Sequence, residues 1–149
     1  KGYKTKNLEL IFTPVQHWSK RGLFDRNKSL WGGWFFKFED YSIYHAGDTG
    51  YSNDFKDTKS KLGSPKYAFI PIGAYDPEWF MAESHVNPED AVQIMLDLDA
   101  ENSFGMHWAT FKLTDEDTLE PKERLDKAIS NINMDNFIAP SPGSVINLD

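Results

Sequence analysis

Apolar positions along this chain fall into short runs of two kinds, alternating or continuous over about five residues and helical in spacing further on. Leu8-Glu-Leu-Ile-Phe12 predicts a strand, ended by Thr13-Pro14. Ser19 to Ser29 is polar and charged and predicts a loop. Two β-rich runs, Trp31 to Phe38 and Tyr41 to Ala46, flank Glu39-Asp40 and predict a hairpin, although Glu-Asp is not a favoured turn pair. Asn53 to Leu62 predicts a short helix, closed by Gly63-Ser-Pro65. Tyr67-Ala-Phe-Ile-Pro-Ile72 is continuously apolar, the pattern of a strand buried on both faces. Asn87-Pro88-Glu89-Asp90 marks a helix start, with Asn as N-cap, Pro at the first position and acids in the first turn. That helix carries Ala91, Val92, Met95 and Leu96 along its expected inward face. Ser103 to Met106 predicts a strand, Pro121 to Ile129 a helix with Leu125, Ala128 and Ile129 inward, and Asn136 to Leu148 a terminal strand and turn.

Strands alternating with helices after an early hairpin predict an α/β domain, a mixed β-sheet with helices on at least one face. Ligands in such sheets gather where strands end. Three residues with metal-ligand chemistry follow directly on predicted strand ends: His17, Asp48 and His107. Asp48 sits in the Gly-flanked turn Ala46-Gly-Asp-Thr-Gly50. A carboxylate there is costly unless donors or a cation meet it. It could instead accept its own loop's backbone N–H groups, as turn aspartates do. One carboxylate and two imidazoles suit Zn²⁺, with Mn²⁺ or Fe²⁺ as other divalent choices.

Two histidines remain. His85 precedes the helix cap at Asn87 and faces the same strand-end crevice or open solvent. In the first case it could bind an anionic oxygen or move a proton. Strand alternation places Tyr44, Ala46 and Asp48 on one face and turns His45 to the other, which makes His45 structural. Trp18, Trp79, Phe80, Met81 and Trp108 surround these positions in sequence and would suit a substrate with an acyl or other hydrophobic part. Lys20 and Arg21 follow His17 and could meet phosphate, or simply be solvated.

Composition narrows the partners. The 149 residues fit a single domain, 1–149, with a real core. A net charge of −7 argues against nucleic-acid binding and supplies no polybasic membrane anchor. The chain has no cysteine, so disulfides and thiolate ligands are excluded. No apolar run is long enough to span a bilayer. The chain begins at Lys1 and soon enters a strand-like segment, so a fragment or processed product is expected.

Several blocks in consistent order carry a resemblance. They are Thr13-Pro-Val-Gln-His17-Trp, Trp31-Gly, Ala46-Gly-Asp48-Thr-Gly50-Tyr51, Ile70-Pro-Ile-Gly-Ala-Tyr75, Pro77-Glu-Trp79-Phe-Met81, His85-Val-Asn-Pro88-Glu-Asp-Ala91-Val and Met106-His107-Trp-Ala-Thr-Phe111. Over roughly Leu8 to Ile129 the chain resembles the metallo-β-lactamase-fold hydrolases. Within them it is most similar to the N-acyl-phosphatidylethanolamine-hydrolysing phospholipases D and their bacterial relatives. The resemblance implies a binuclear Zn²⁺ site in which His17 binds one metal, Asp48 bridges both and His107 binds the second. It implies attack on phosphorus by a metal-bridging hydroxide, with His85 beside the substrate phosphate and Tyr75 and Trp79 on the substrate side.

The chain departs from that family at one place. The first metal motif, His-x-His-x-Asp-His, is absent, and no histidine precedes His17. The expectation is therefore the C-terminal half of a metallo-β-lactamase fold, with helices packed on one face of the sheet. Such a chain would bind metal weakly and hydrolyse little by itself. A phospholipid or other phosphodiester is the expected substrate. A lactone or other ester, or a non-catalytic role in binding a lipid or partner, are the alternatives. Peripheral membrane contact, a cytoplasmic or membrane-surface location and a homodimer through uncovered sheet are left open.

Overall fold

The structure is a computed structural model and describes residues 2–148. Seven strands form one mixed sheet in sequential order: β1 (Gly2–Lys4), β2 (Glu9–Thr13), β3 (Gly33–Lys37), β4 (Ser42–His45), β5 (Tyr67–Pro71), β6 (Asn102–Met106) and β7 (Phe137–Ile138). The first four pair antiparallel, and β4 through β7 run parallel. The Glu39-Asp40 hairpin forms as expected, closed by the Phe38 amide donating to the Tyr41 carbonyl. Because β3 runs antiparallel to both neighbours, β2 and β4 point the same way. The C-terminal ends of β2, β4, β5 and β6 therefore share one end of the sheet.

The parallel half needs crossovers, and helices supply them. They are α1 (Asp54–Leu62), the single turn α2 (Glu78–Met81), α3 (Pro88–Leu98) and α4 (Glu120–Asn131). The Asn87 side chain caps α3 by accepting the Asp90 amide, as its sequence predicts. On α3 the buried residues include Ala91, Val92, Ile94, Met95 and Leu98. Leu96, expected inward, is 42% exposed. It falls outside the stripe because the face in contact is centred on Ile94 and Leu98, one helical turn apart.

Phe35, Tyr44, Ala46, Ala68, Ile70 and Ile72 on the sheet pack with Phe55 of α1, the buried face of α3, and Leu125 and Ile129 of α4 in one core. Core and helices thus lie on one face of the sheet. Register aligns Phe12, Trp34, His45, Phe69, Phe104 and Ile138 across the other face. Phe69 is accordingly only half-buried, so β5 is not dry on both sides. The terminal strand and turn expected over Asn136 to Leu148 form as a short β7, Phe137–Ile138, followed by a turn at 142–143, and Pro140, Ser144, Ile146 and Leu148 line a groove over Phe69, Phe104 and Met106.

Candidate active site

The shared end of the sheet brings four loops together. The loop after β2 carries His17, the turn after β4 carries Asp48, the segment after β5 carries His85, and β6 runs straight into His107. Gly47 lets the chain leave β4 sharply, at φ 70°. This turn explains one difference from the sequence expectation: β4 ends at His45, so Asp48 does not continue the Tyr44–Ala46 face and stands partly exposed. Tyr44 and Ala46 are buried while His45 faces the other side, stacked on Phe69.

Thr49 and Gly50 lace the loops to one another. The Thr49 hydroxyl accepts the Gln16 amide at 3.1 Å and donates to the Gly50 carbonyl at 2.6 Å. The Gly50 amide donates to the Gln16 carbonyl, and the Val86 amide to the Thr49 carbonyl. The neighbours of His17 and His85 are thereby hydrogen-bonded to the neighbours of Asp48. Only glycine fits at position 50, since a Cβ there would come 2.5 Å from the Ala82 carbonyl oxygen and 2.7 Å from that of Glu83. On the far side, the Ile72 amide donates to the Met106 carbonyl and ties the ends of β5 and β6 together.

The result is a cluster. The His17 and His85 rings meet edge to face with centroids 5.2 Å apart, and His85 and His107 are 5.4 Å apart. His107 Nε2 lies 3.5 Å from Asp48 Oδ1. His107 takes a left-handed φ of 60°, uncommon for a residue with a Cβ, and such strain gathers at functional sites. His17 Nδ1 is 2.8 Å from the Trp18 carbonyl oxygen. A carbonyl only accepts, so Nδ1 carries a proton, and in the neutral ring Nε2 then presents a lone pair. That Nε2 is buried without a hydrogen-bond partner, as are His85 Nδ1 and His107 Nδ1. Burial first, and repulsion from His107 and His17 whenever those rings are protonated, push the His85 imidazole down to about 4 against the opposing pull of Asp48.

An imidazole whose other nitrogen is anchored to a backbone carbonyl is how proteins prepare a histidine to hold a metal. In kind, then, His17, Asp48 and His107 fit a borderline divalent cation. In placement they fall short: among the described residues no three His, Asp or Glu side chains converge closely enough to hold a metal ion as they stand.

Beside the cluster opens a cleft of about 660 Å³, lined by Gln16, His17, Trp18, Arg26, Phe80 and His85 among others. Of the aromatic residues expected at a substrate, Trp18 and Phe80 line it. Trp79 stands 87% exposed on α2. Tyr75 is not brought to the cleft: it is 1% exposed, and its hydroxyl donates to Glu120 under the Arg124 guanidinium. Gln16, Thr49 and Gly50, which hold the site together, carried no signal of that role in sequence, because their partners lie in other loops.

A strand-end cluster of histidines and one aspartate on a mixed sheet defines a class, and comparison supports it. The sequence profile of the beta-lactamase superfamily domain matches residues 3–108, and the chain belongs to that superfamily. It is 47% identical over 117 residues to the mitochondrial N-acyl-phosphatidylethanolamine-hydrolyzing phospholipase D of Saccharomyces cerevisiae, covering 76% of this chain and 25% of that protein. It is 39% identical over 145 residues to N-acyl-phosphatidylethanolamine-hydrolyzing phospholipase D 1 of Caenorhabditis elegans, covering 94% of this chain and 41% of that protein. The chain thus spans less than half the length of either relative. Its fold matches a metallo hydrolase of Ignicoccus hospitalis with a TM-score of 0.71 at 24% identity, over 100% of this chain and 58% of the other. The chain carries the fold of the metallo-β-lactamase hydrolases.

Proposed function

We propose that this chain belongs to a metal-dependent phosphodiesterase acting on N-acyl-phosphatidylethanolamine-like phospholipids. The observation that carries this reading is the convergence of His17, Asp48 and His107 from the ends of β2, β4 and β6 with His85 from the segment before α3, with three ring nitrogens buried and unpartnered. His17 and His107 would hold metal, and Asp48 would lie between two sites. Two divalent ions, Zn²⁺ in the first instance, would supply an activated water and a clamp on the attacking and leaving oxygens.

The chain's own residues do the rest. His85 is held neutral near pH 7, so one ring nitrogen can donate to a phosphate oxygen while the other accepts a proton. Trp18 and Phe80 give the cleft an apolar wall for an acyl chain. Arg26, over the Trp18 ring at 5.6 Å, offers a cation to a phosphate. The names of the yeast and nematode relatives favour a phospholipid over other phosphodiesters.

Three ligands cannot complete two metal sites, so the 149-residue chain alone would bind Zn²⁺ weakly and turn over little. The test is metal content and hydrolysis, measured on the intact protein and on this chain separately. The intact protein is expected to hold two ions and to release phosphatidic acid from N-acyl-phosphatidylethanolamine. Turnover of lactones but not phosphodiesters would overturn the substrate class, and tight stoichiometric Zn²⁺ binding by the isolated chain would overturn the shortfall.

A further inference from the structure

The net charge of −7 conceals a reversal within one loop. Between Ser19 and Leu30 lie four cations, Lys20, Arg21, Arg26 and Lys28, against one acid, Asp25. None of the four is in an ion pair among the described residues, whereas Lys4, Lys56, Lys59, Lys61, Lys112, Lys122 and Arg124 all are. Asp25 is turned inward, its carboxylate accepting the Arg21 and Gly22 amides. Interleaved with the cations are Leu23, Phe24 and Leu30, exposed by 83%, 86% and 80%. The loop is nonetheless built: Asn27 donates its amide to the Ser19 carbonyl, and the Ser19 hydroxyl donates to the Ser29 carbonyl at 2.7 Å.

A second apolar prominence stands across the cleft. Trp79 and Phe80 on α2 are 87% and 67% exposed. Arg26 and Asn27 of the loop line the cleft together with Phe80, Met81 and Glu83 from α2 and the residues after it. Two exposed apolar tips therefore flank the mouth of the candidate active site, and unpaired cations ring one of them. Tips without neighbours cost hydration free energy, and a monomer gains nothing by them in water.

We infer that the loop 19–30 and α2 form a docking surface for an anionic phospholipid bilayer. Leu23, Phe24, Trp79 and Phe80 enter the interface, and Lys20, Arg21, Arg26 and Lys28 meet the headgroups. Cations alternating with large apolar residues, and a tryptophan at the tip, match the layered chemistry of a bilayer surface, apolar below and anionic above. No described helix is long and apolar enough to cross a membrane. The surface rests on the phospholipid reading for its purpose, since it would set the cleft mouth against lipid, but its test needs no turnover.

The test is sedimentation of the intact protein with vesicles of phosphatidylcholine alone or doped with phosphatidylglycerol. The protein is expected to partition onto the doped vesicles and to be released by salt. Leu23→Ser with Phe24→Ser should lower partitioning about tenfold. Lys20→Glu with Arg21→Glu should abolish the preference for the doped vesicles. Vesicles carrying brominated acyl chains should quench tryptophan fluorescence in the wild type and less so in Trp79→Phe, a readout that does not depend on the serine variant folding. A wild type that stays in the supernatant with both vesicles, a serine variant that binds like wild type, or quenching unchanged in Trp79→Phe would each overturn the surface. Hydrolysis of phosphodiesters by a protein that ignores vesicles would leave the proposed function standing and sink this inference alone.

Discussion

The wholly buried Thr49 hydroxyl accepts the backbone N–H of Gln16 at 3.1 Å, so a side chain from the Asp48 turn fixes the residue beside His17. Thr49→Val keeps the shape and removes the acceptor. A donor left unpaired in a partly buried place costs about 1–3 kcal/mol. Chemical denaturation is expected to show that loss, with activity of the intact protein falling as His17 drifts. Thr49→Ser should recover most of both, because it keeps the hydroxyl.

Asp48 lies 3.5 Å from His107 and is the one carboxylate in the cluster. Asp48→Asn keeps the volume and removes the charge that offsets divalent cations. In the intact protein, metal content and turnover are both expected to fall, turnover by roughly 100-fold or more. Stability should change little, since the side chain is partly exposed. Unchanged turnover at full metal loading would remove Asp48 from the site.

The Arg124 guanidinium binds Glu89 through two nitrogens at 2.6 and 3.2 Å and Glu78 at 2.8 Å, and lies 4.7 Å over the Tyr75 ring. It joins α4 to α3 and to the turn α2. Burial works against its charge, but Glu89 and Glu78 outweigh that and hold it firmly protonated. Arg124→Ala leaves those carboxylates facing one another and Asp90, and should cost about 1–3 kcal/mol in thermal or urea unfolding. Arg124→Lys should recover only part, because an ammonium cannot form the same fork. Faster proteolysis around Glu78–Met81 in Arg124→Ala would show that α2 had been released.

Sequence pattern reached the runs that form β2 to β6, the capped helix α3 and the three strand-end positions His17, Asp48 and His107, because each is a local signal, and it missed β1. Period, caps and turn glycines act within a few residues of one another. What it missed depends on partners far along the chain. Leu96 and Ile94 are indistinguishable by hydrophobicity, and only the crossing of α3 over β5 and α4 decides which is buried. Tyr75 looked like a substrate contact until α4 brought Glu120 and Arg124 to it. The loop after His17 reads as merely polar by composition, and its exposed Leu23 and Phe24 stand out only in three dimensions.

Glu116 gives a prediction in pH. Its carboxylate accepts the Ala74 amide at 2.7 Å and the Asp76 amide at 3.2 Å, and so holds the chain that leaves β5 toward α2. Ala74 there has a left-handed φ of 64°, a conformation that needs such an anchor. Burial pushes the Glu116 carboxyl up, but the hydrogen bonds it accepts outweigh burial and leave it below the usual glutamate range. A carboxyl depressed in the folded state binds its proton less readily there than in the unfolded chain. Its contribution to stability is therefore fully present above the unfolded value, and is lost as pH falls through the folded one. Glu116→Gln should accordingly lower stability near neutral pH by about 1 kcal/mol, less than a fully buried charge-assisted bond because the group is partly solvated. The gap between wild type and variant should narrow as the medium is acidified past the usual glutamate range. Urea titrations of both proteins at a series of pH values would check this. A gap that stays constant into acid would mean that Glu116 serves Ala74 and Asp76 through shape alone, with no part played by its charge.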